Sequence, residues 1–137
     1  MAILAIDFGT RRIGLAIAES TTSQAFPLDI IKRDALNRDL ARIKLQIEGR
    51  DVTQLVVGLP LNMDGTEGSS ALAARKFGGH LGAYLGLPVD YCDERLTSFE
   101  VRQRLADQTG RRRKTAIDAL AATVILEEWL AGHQNQT

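Results

Sequence analysis

Between Lys32 and Leu36 the hydrophobic pattern of this chain changes period. Upstream, Ala2–Asp7 and Ile13–Ala18 are short apolar runs of strand character. Phe8–Gly9–Thr10–Arg11–Arg12 between them reads as a tight connection, so the pair is expected to form a hairpin. Ala25–Lys32 reads as a third strand, and Pro27 assigns it to a sheet edge or a bulge because proline cannot donate to a ladder. Downstream the spacing becomes helical: Leu36, Leu40, Ile43 and Ile47 share a face, Asn37 offers a cap near the start and Gly49 closes the end.

Strands and helices then alternate. Gln54–Gly58 is a nearly continuous apolar run, as expected of a strand covered on both faces. Ser69–Leu85 is helical by pattern, with Ala74, Phe77, Leu81 and Tyr84 on one stripe and Gly78–Gly79 weakening it. Pro88–Cys92 is a short strand that enters Asp93–Glu94–Arg95. Thr97–Ser98–Phe99–Glu100 has capping-box spacing and opens a helix that fades by Asp107. Gln108–Lys114 reads as a mobile basic loop and Thr115–Ala131 as the final helix. Consecutive antiparallel strands followed by αβ units imply an α/β domain: a mixed five-stranded sheet with helices on both faces.

The 137 residues suit one compact domain, expected over residues 1–132 with a short disordered tail at 133–137. Hydrophobic residues make up 45% and charged residues 25%, which excludes disorder as the main state. No apolar stretch approaches bilayer length, and the opening apolar run meets Asp7 without the basic start of a secretory signal. The one cysteine, Cys92, fits a reducing compartment and reads as core. A cytoplasmic protein without a membrane partner is expected.

Net charge is zero, but its distribution is uneven. Seven bases (Arg95, Arg102, Arg104, Arg111, Arg112, Arg113, Lys114) face two acids (Glu100, Asp107) in one window. Such a concentration focuses positive potential, as phosphate-binding proteins require, although a solvated helix face and a charged loop explain it equally well.

In α/β sheets chemistry sits at strand ends and in the loops beyond them. Asp7 ends the first strand, Asp93 and Glu94 end the last, and Asp118 falls in the first turn of the final helix. Three acids converging from distant parts of the chain repel unless a cation joins them. Oxygen-only ligands with open positions suit Mg2+ or Mn2+. Cys92, His80 and His133 lack the spacing that zinc would need. Each acid also has a plain alternative. Asp7 could start the turn before Gly9, Asp118 could complete a capping box with Thr115, and Glu94 could pair with Arg95 or Arg102 at the surface. Gly9 lets the backbone approach a phosphate or metal, Thr10 adds a hydroxyl, and Arg11 and Arg12 carry forked phosphate donors; the bland reading is a hairpin turn with two solvated arginines. Phe8 reads first as core with base stacking as the alternative, and Trp129 as packing or a dimer contact rather than a base-stacking platform.

Four blocks carry a resemblance. Asp7–Phe8–Gly9–Thr10–Arg11–Arg12–Ile13–Gly14–Leu15–Ala16 resembles the opening of the YqgF (RuvX) family, relatives of the RuvC resolvases with an RNase H-like fold. The run from Val56 to Gly68 (VVGLPLNMDGTEG), the block Asp93–Glu94–Arg95–Leu96–Thr97–Ser98 and the block Ile117–Asp118–Ala119–Leu120–Ala121–Ala122 resemble its later signatures, in the family's order. The resemblance implies a three-carboxylate, two-metal nuclease centre at Asp7, Glu94 and Asp118, with Asp93 as the alternative second acid. RuvC carries that acid after the strand matching Gln54–Gly58, where this chain has Leu59–Pro60–Leu61. The implied activity is metal-dependent hydrolysis of phosphodiester bonds in structured RNA or branched DNA. The 5′ end of pre-16S rRNA and the four-way Holliday junction are its two candidate substrates. Thr10, Arg11, Arg95, Arg111, Arg112, Arg113 and Lys114 would contact the nucleic acid.

Two rivals remain at this point. Asp-x-Gly-Thr after a first strand also opens ATP-handling proteins of the actin and sugar-kinase type, but those bind nucleotide between two such domains and this chain has length for one. A non-catalytic RNA- or ribosome-binding module would use the basic window equally well, yet the carboxylates would repel phosphate there. Monomer and homodimer are both open.

Overall fold

The computed structural model describes residues 1–94 and 113–133, with the side chains of 113–119 excepted. The chain forms β1 (Ala2–Phe8), β2 (Arg12–Ala18), β3 (Phe26–Lys32), α1 (Leu36–Ile47), β4 (Val52–Leu59), α2 (Ser69–Leu85), β5 (Val89–Asp93) and α3 (Arg113–His133). One five-stranded sheet runs β3-β2-β1-β4-β5. Its first three strands pair antiparallel, while β4 joins β1 and β5 joins β4 in parallel. This is the expected mixed α/β sheet, with α1 and α2 on one face and α3 on the other.

Alternation along the strands builds two cores. Leu4 and Ile6 of β1, Ile13 and Leu15 of β2 and Leu55 and Val57 of β4 pack with Ile43 of α1 and with Phe77 and Leu81 of α2. The opposite face shows smaller side chains, Ala5, Ala16 and Ala18, beside Ile3 and Val56. Small residues let a helix lie close, and here Ile125, Leu126, Trp129 and Leu130 of α3 fill the layer. Pro27 sits on the edge strand beside a register shift at Leu15/Ala16, so it satisfies both conditions under which strands tolerate proline.

Several local expectations are corrected. Helix α1 starts after Ala35 with no side-chain cap, so Asn37 does not serve; the buried Asp39 carboxylate instead accepts the Asp34 backbone N–H at 3.0 Å. On α2 the stripe is Ala74, Phe77 and Leu81, whereas Tyr84 is exposed. The helix runs through its glycines, two of which pack closely on the sheet: a Cβ on Gly82 would lie 2.6 Å from Val89 Cγ2 and one on Gly78 2.9 Å from the Tyr91 hydroxyl of β5. Helix α3 begins at Arg113, which places Arg113 and Lys114 in its first turn rather than in a loop and puts Thr115 inside the helix, not at its cap. It runs on to His133, whose ring stacks on Trp129 at 3.8 Å. Trp129 is packing: it is buried and its Nε1–H donates to Asp90 Oδ2 at 3.0 Å. The expected helix from Thr97 and residues 134–137 lie outside the described residues. Among the described residues no helix is long and apolar enough to cross a membrane.

Candidate active site

The carboxylates gather where β1, β4 and β5, parallel to one another, reach their C-terminal ends. Asp7 is the penultimate residue of β1, and strand alternation puts it on the side of Ile3 and Ala5, the face that α3 covers. Glu94 follows β5 directly, and its backbone N–H donates to the Leu59 carbonyl at 3.1 Å, which ties the end of β5 to the end of β4.

The Glu94 side chain turns inward and is only 6% exposed. Its Oε2 is buried and has no hydrogen-bond partner among the described residues. A carboxylate in that condition is expensive unless it is protonated or a cation joins it. Burial, then the charge of Asp7, then that of Asp93 push its carboxyl from 4.5 up to about 8. Asp7 and Glu94 are thus brought into electrostatic reach of each other, with the exposed Asp93 at the rim. The alternative of a surface ion pair for Glu94 is removed by its burial. Space for it comes from β4: a Cβ on Gly58 would lie 2.3 Å from Glu94 Oε2. An orphaned buried oxygen, all-oxygen chemistry and surrounding negative charge fit a hard divalent cation.

Asp118 lies on α3, the helix whose Ile125 approaches Gly58 over this same face. The Asp118 side chain is outside the described residues, and among those described no three His, Cys, Asp or Glu groups stand close enough to hold a metal ion. Arg95, Arg111 and Arg112 also fall outside.

On the other face of the sheet end, the β1–β2 turn borders a groove of about 230 Å³. Phe8, Gly9, Thr10 and Arg33 form one wall, and Ser69, Ser70 and Ala73 of α2 form the other. The turn closes through Gly9 N–H to the Arg12 carbonyl at 2.9 Å. Arg33 then clamps it, donating from Nη1 to the carbonyls of Gly9 at 3.0 Å and Thr10 at 2.9 Å. Its guanidinium lies 4.2 Å over the Phe8 ring, which itself stacks on Phe77 at 4.4 Å. Phe8 is therefore a packing residue. Arg11 stays exposed on the turn, and its carbonyl accepts the Arg33 N–H at 2.9 Å. Sequence reasoning missed Arg33 and Gly58. Arg33 has no motif around it, whereas the lone glycine in the apolar run of β4 was a readable signal.

The model of the RuvX family, described as Holliday junction resolvase, matches residues 1–132. The chain belongs to the RuvX family. Within it, a protein of Anaeromyxobacter sp. (strain Fw109-5) named "Putative pre-16S rRNA nuclease" is 44% identical over 134 residues, 96% of this chain and 98% of its own length. A protein of the same name from Coxiella burnetii (strain Dugway 5J108-111) is 41% identical over 133 residues, 97% of this chain and 94% of that protein. Thermus thermophilus RuvC, solved with a Holliday junction substrate, shares the fold at a TM-score of 0.60 and 17% identity, covering 100% of this chain and 98% of RuvC. The fowlpox virus Holliday junction resolvase does so at 0.55 and 13%, covering 96% of this chain and 99% of the resolvase. The expected class, a hydrolase of nucleic-acid phosphodiester bonds that depends on a divalent metal, stands on membership of the RuvX family.

Proposed function

We propose that this chain, acting as one domain over residues 1–132, is a cytoplasmic endonuclease that uses Mg2+ or Mn2+ at Asp7, Glu94 and Asp118 to trim the 5′ end of pre-16S rRNA. The observation that carries the reading is the buried carboxylate oxygen of Glu94, unpartnered among the described residues, beside two further acids. A module that only binds RNA gains nothing from a carboxyl buried without a hydrogen-bond partner among the described residues, whereas a site that must hold cations gains a rigid ligand. Glu94 is preferred to Asp93 because it is buried and tied to β4 through its backbone. Divalent ions bound there would lower the pKa of the attacking water and stabilise the leaving oxygen.

The chain's own residues do the rest. Asp7 and Glu94 hold their carboxylates at the rigid ends of strands, which keeps ligand positions fixed better than loops would. Thr10 and Arg11 on the clamped turn, with Arg95, Arg111, Arg112, Arg113 and Lys114, would contact phosphates and set the register of the strand, so binding should weaken steeply with salt. The test is a panel of labelled substrates: a precursor-rRNA-like stem, single-stranded RNA and a four-way DNA junction. Preferred cutting of the stem supports rRNA maturation. Preferred cutting of the junction, together with a homodimer in sedimentation, replaces this reading with junction resolution.

A further inference from the structure

We infer that Gly58 is a positioning residue of the carboxylate centre: the missing side chain at this one place on β4 is the space in which the Glu94 carboxylate lies. The inference rests on the reading of Glu94 as a metal ligand. On β4, Leu55, Val56, Val57 and Leu59 are all large and buried, and Gly58 alone interrupts them. Glycine inside a strand weakens it through chain entropy and lost packing, so its presence there points to something that approaches closely. Alternation puts residue 58 on the side of Val56, facing α3 and the carboxylates.

A Cβ built on Gly58 would meet two neighbours. It would lie 2.3 Å from Glu94 Oε2 and 3.1 Å from its Cδ, and 2.5 Å from Ile125 Cδ1. Both atoms end buried side chains, but relieving the two conflicts has different consequences. Rotating Ile125 Cδ1 away leaves the carboxylate where it is. The Glu94 backbone is held to Leu59, so relieving the other conflict moves the carboxylate off its place. Metal–ligand distances fall within about 0.2 Å of their usual values, so a displaced carboxylate binds less well. Gly58 therefore controls where the Glu94 carboxylate sits, separately from any part it plays in packing.

The experiment is Mn2+ binding to the full-length protein by calorimetry at one pH, beside thermal unfolding in EDTA, for the native chain, Gly58→Ala, Ile125→Val and Gly58→Ala/Ile125→Val. Ile125→Val removes the Cδ1 atom and so relieves the packing conflict alone. The expected result is Mn2+ affinity at least about tenfold weaker in Gly58→Ala. Ile125→Val should bind as the native chain does. The double variant should recover thermal stability relative to Gly58→Ala without recovering affinity. Native affinity in Gly58→Ala, or recovery of stability and affinity together in the double variant, overturns the inference. A native chain that binds no Mn2+ overturns the metal reading of Glu94 itself, and this inference with it.

Discussion

Replacing Glu94 by glutamine should make the metal-free protein more stable in alkaline solution while removing a ligand from its centre. Burial, the charge of Asp7 and then that of Asp93 push the Glu94 carboxyl from 4.5 up to about 8. The folded value lies above the unfolded one, so between them the folded chain keeps a proton that the unfolded chain has released. The contribution of this group to stability is therefore full below pH 4.5, falls as pH rises, and is lost once pH passes about 8. At about 1.4 kcal/mol per pKa unit, the interval from 4.5 to about 8 amounts to about 5 kcal/mol. Water entry and side-chain relaxation lower what a buried ion costs, which brings the expected loss to about 2–3 kcal/mol. For a chain of 137 residues that corresponds to about 6–10 °C in Tm. The assay is thermal unfolding in EDTA at pH 5, 7 and 9. The native chain should lose that interval relative to Glu94→Gln between pH 5 and 9, and Mn2+ at pH 9 should restore the native chain far more than the variant. Parallel pH profiles for the two proteins would refute the reasoning, because they would mean that Glu94 ionises in the fold as easily as in water.

Arg33→Ala removes two hydrogen bonds to the β1–β2 turn and the contact with Phe8, and should lower stability by about 1–2 kcal/mol in urea titrations. The same variant should bind a substrate stem more weakly in a gel-shift titration, because the clamped turn carries Thr10 and Arg11. Burial, then the charges of Glu128, Asp93 and Glu94 raise the Cys92 thiol to about 11. Alkylation by iodoacetamide at pH 8 should accordingly be far slower than for a free cysteine, and unfolding in guanidinium should restore the ordinary rate.

The sheet was legible because its signals are local. Apolar runs, a turn glycine and a switch to helical spacing identify β1, β2 and α1, and Ser69 and Leu85 bound α2 where the pattern places them. The start of α3 was not legible. Basic residues such as Arg113 and Lys114 at a helix N-terminus oppose the helix dipole and read as a solvated loop, yet arginine and lysine are good helix formers and the apolar residues beyond them anchor the helix on the sheet. Asp7 and Glu94 stood out as acids at strand ends. The lone glycine of β4 marks a close approach, but the local sequence around Gly58 or Arg33 does not name the distant partner each meets, Glu94 in one case and the Gly9–Thr10 turn in the other.

Cleavage of a labelled precursor-rRNA-like stem by the purified protein, with Mg2+ or Mn2+ and with EDTA, tests the assignment of the centre most directly when Asp7→Asn and Glu94→Gln are run beside it. The account expects cutting by the native chain that needs the metal and is lost in both variants while their folds persist. Undiminished metal-dependent cutting by either variant would contradict it.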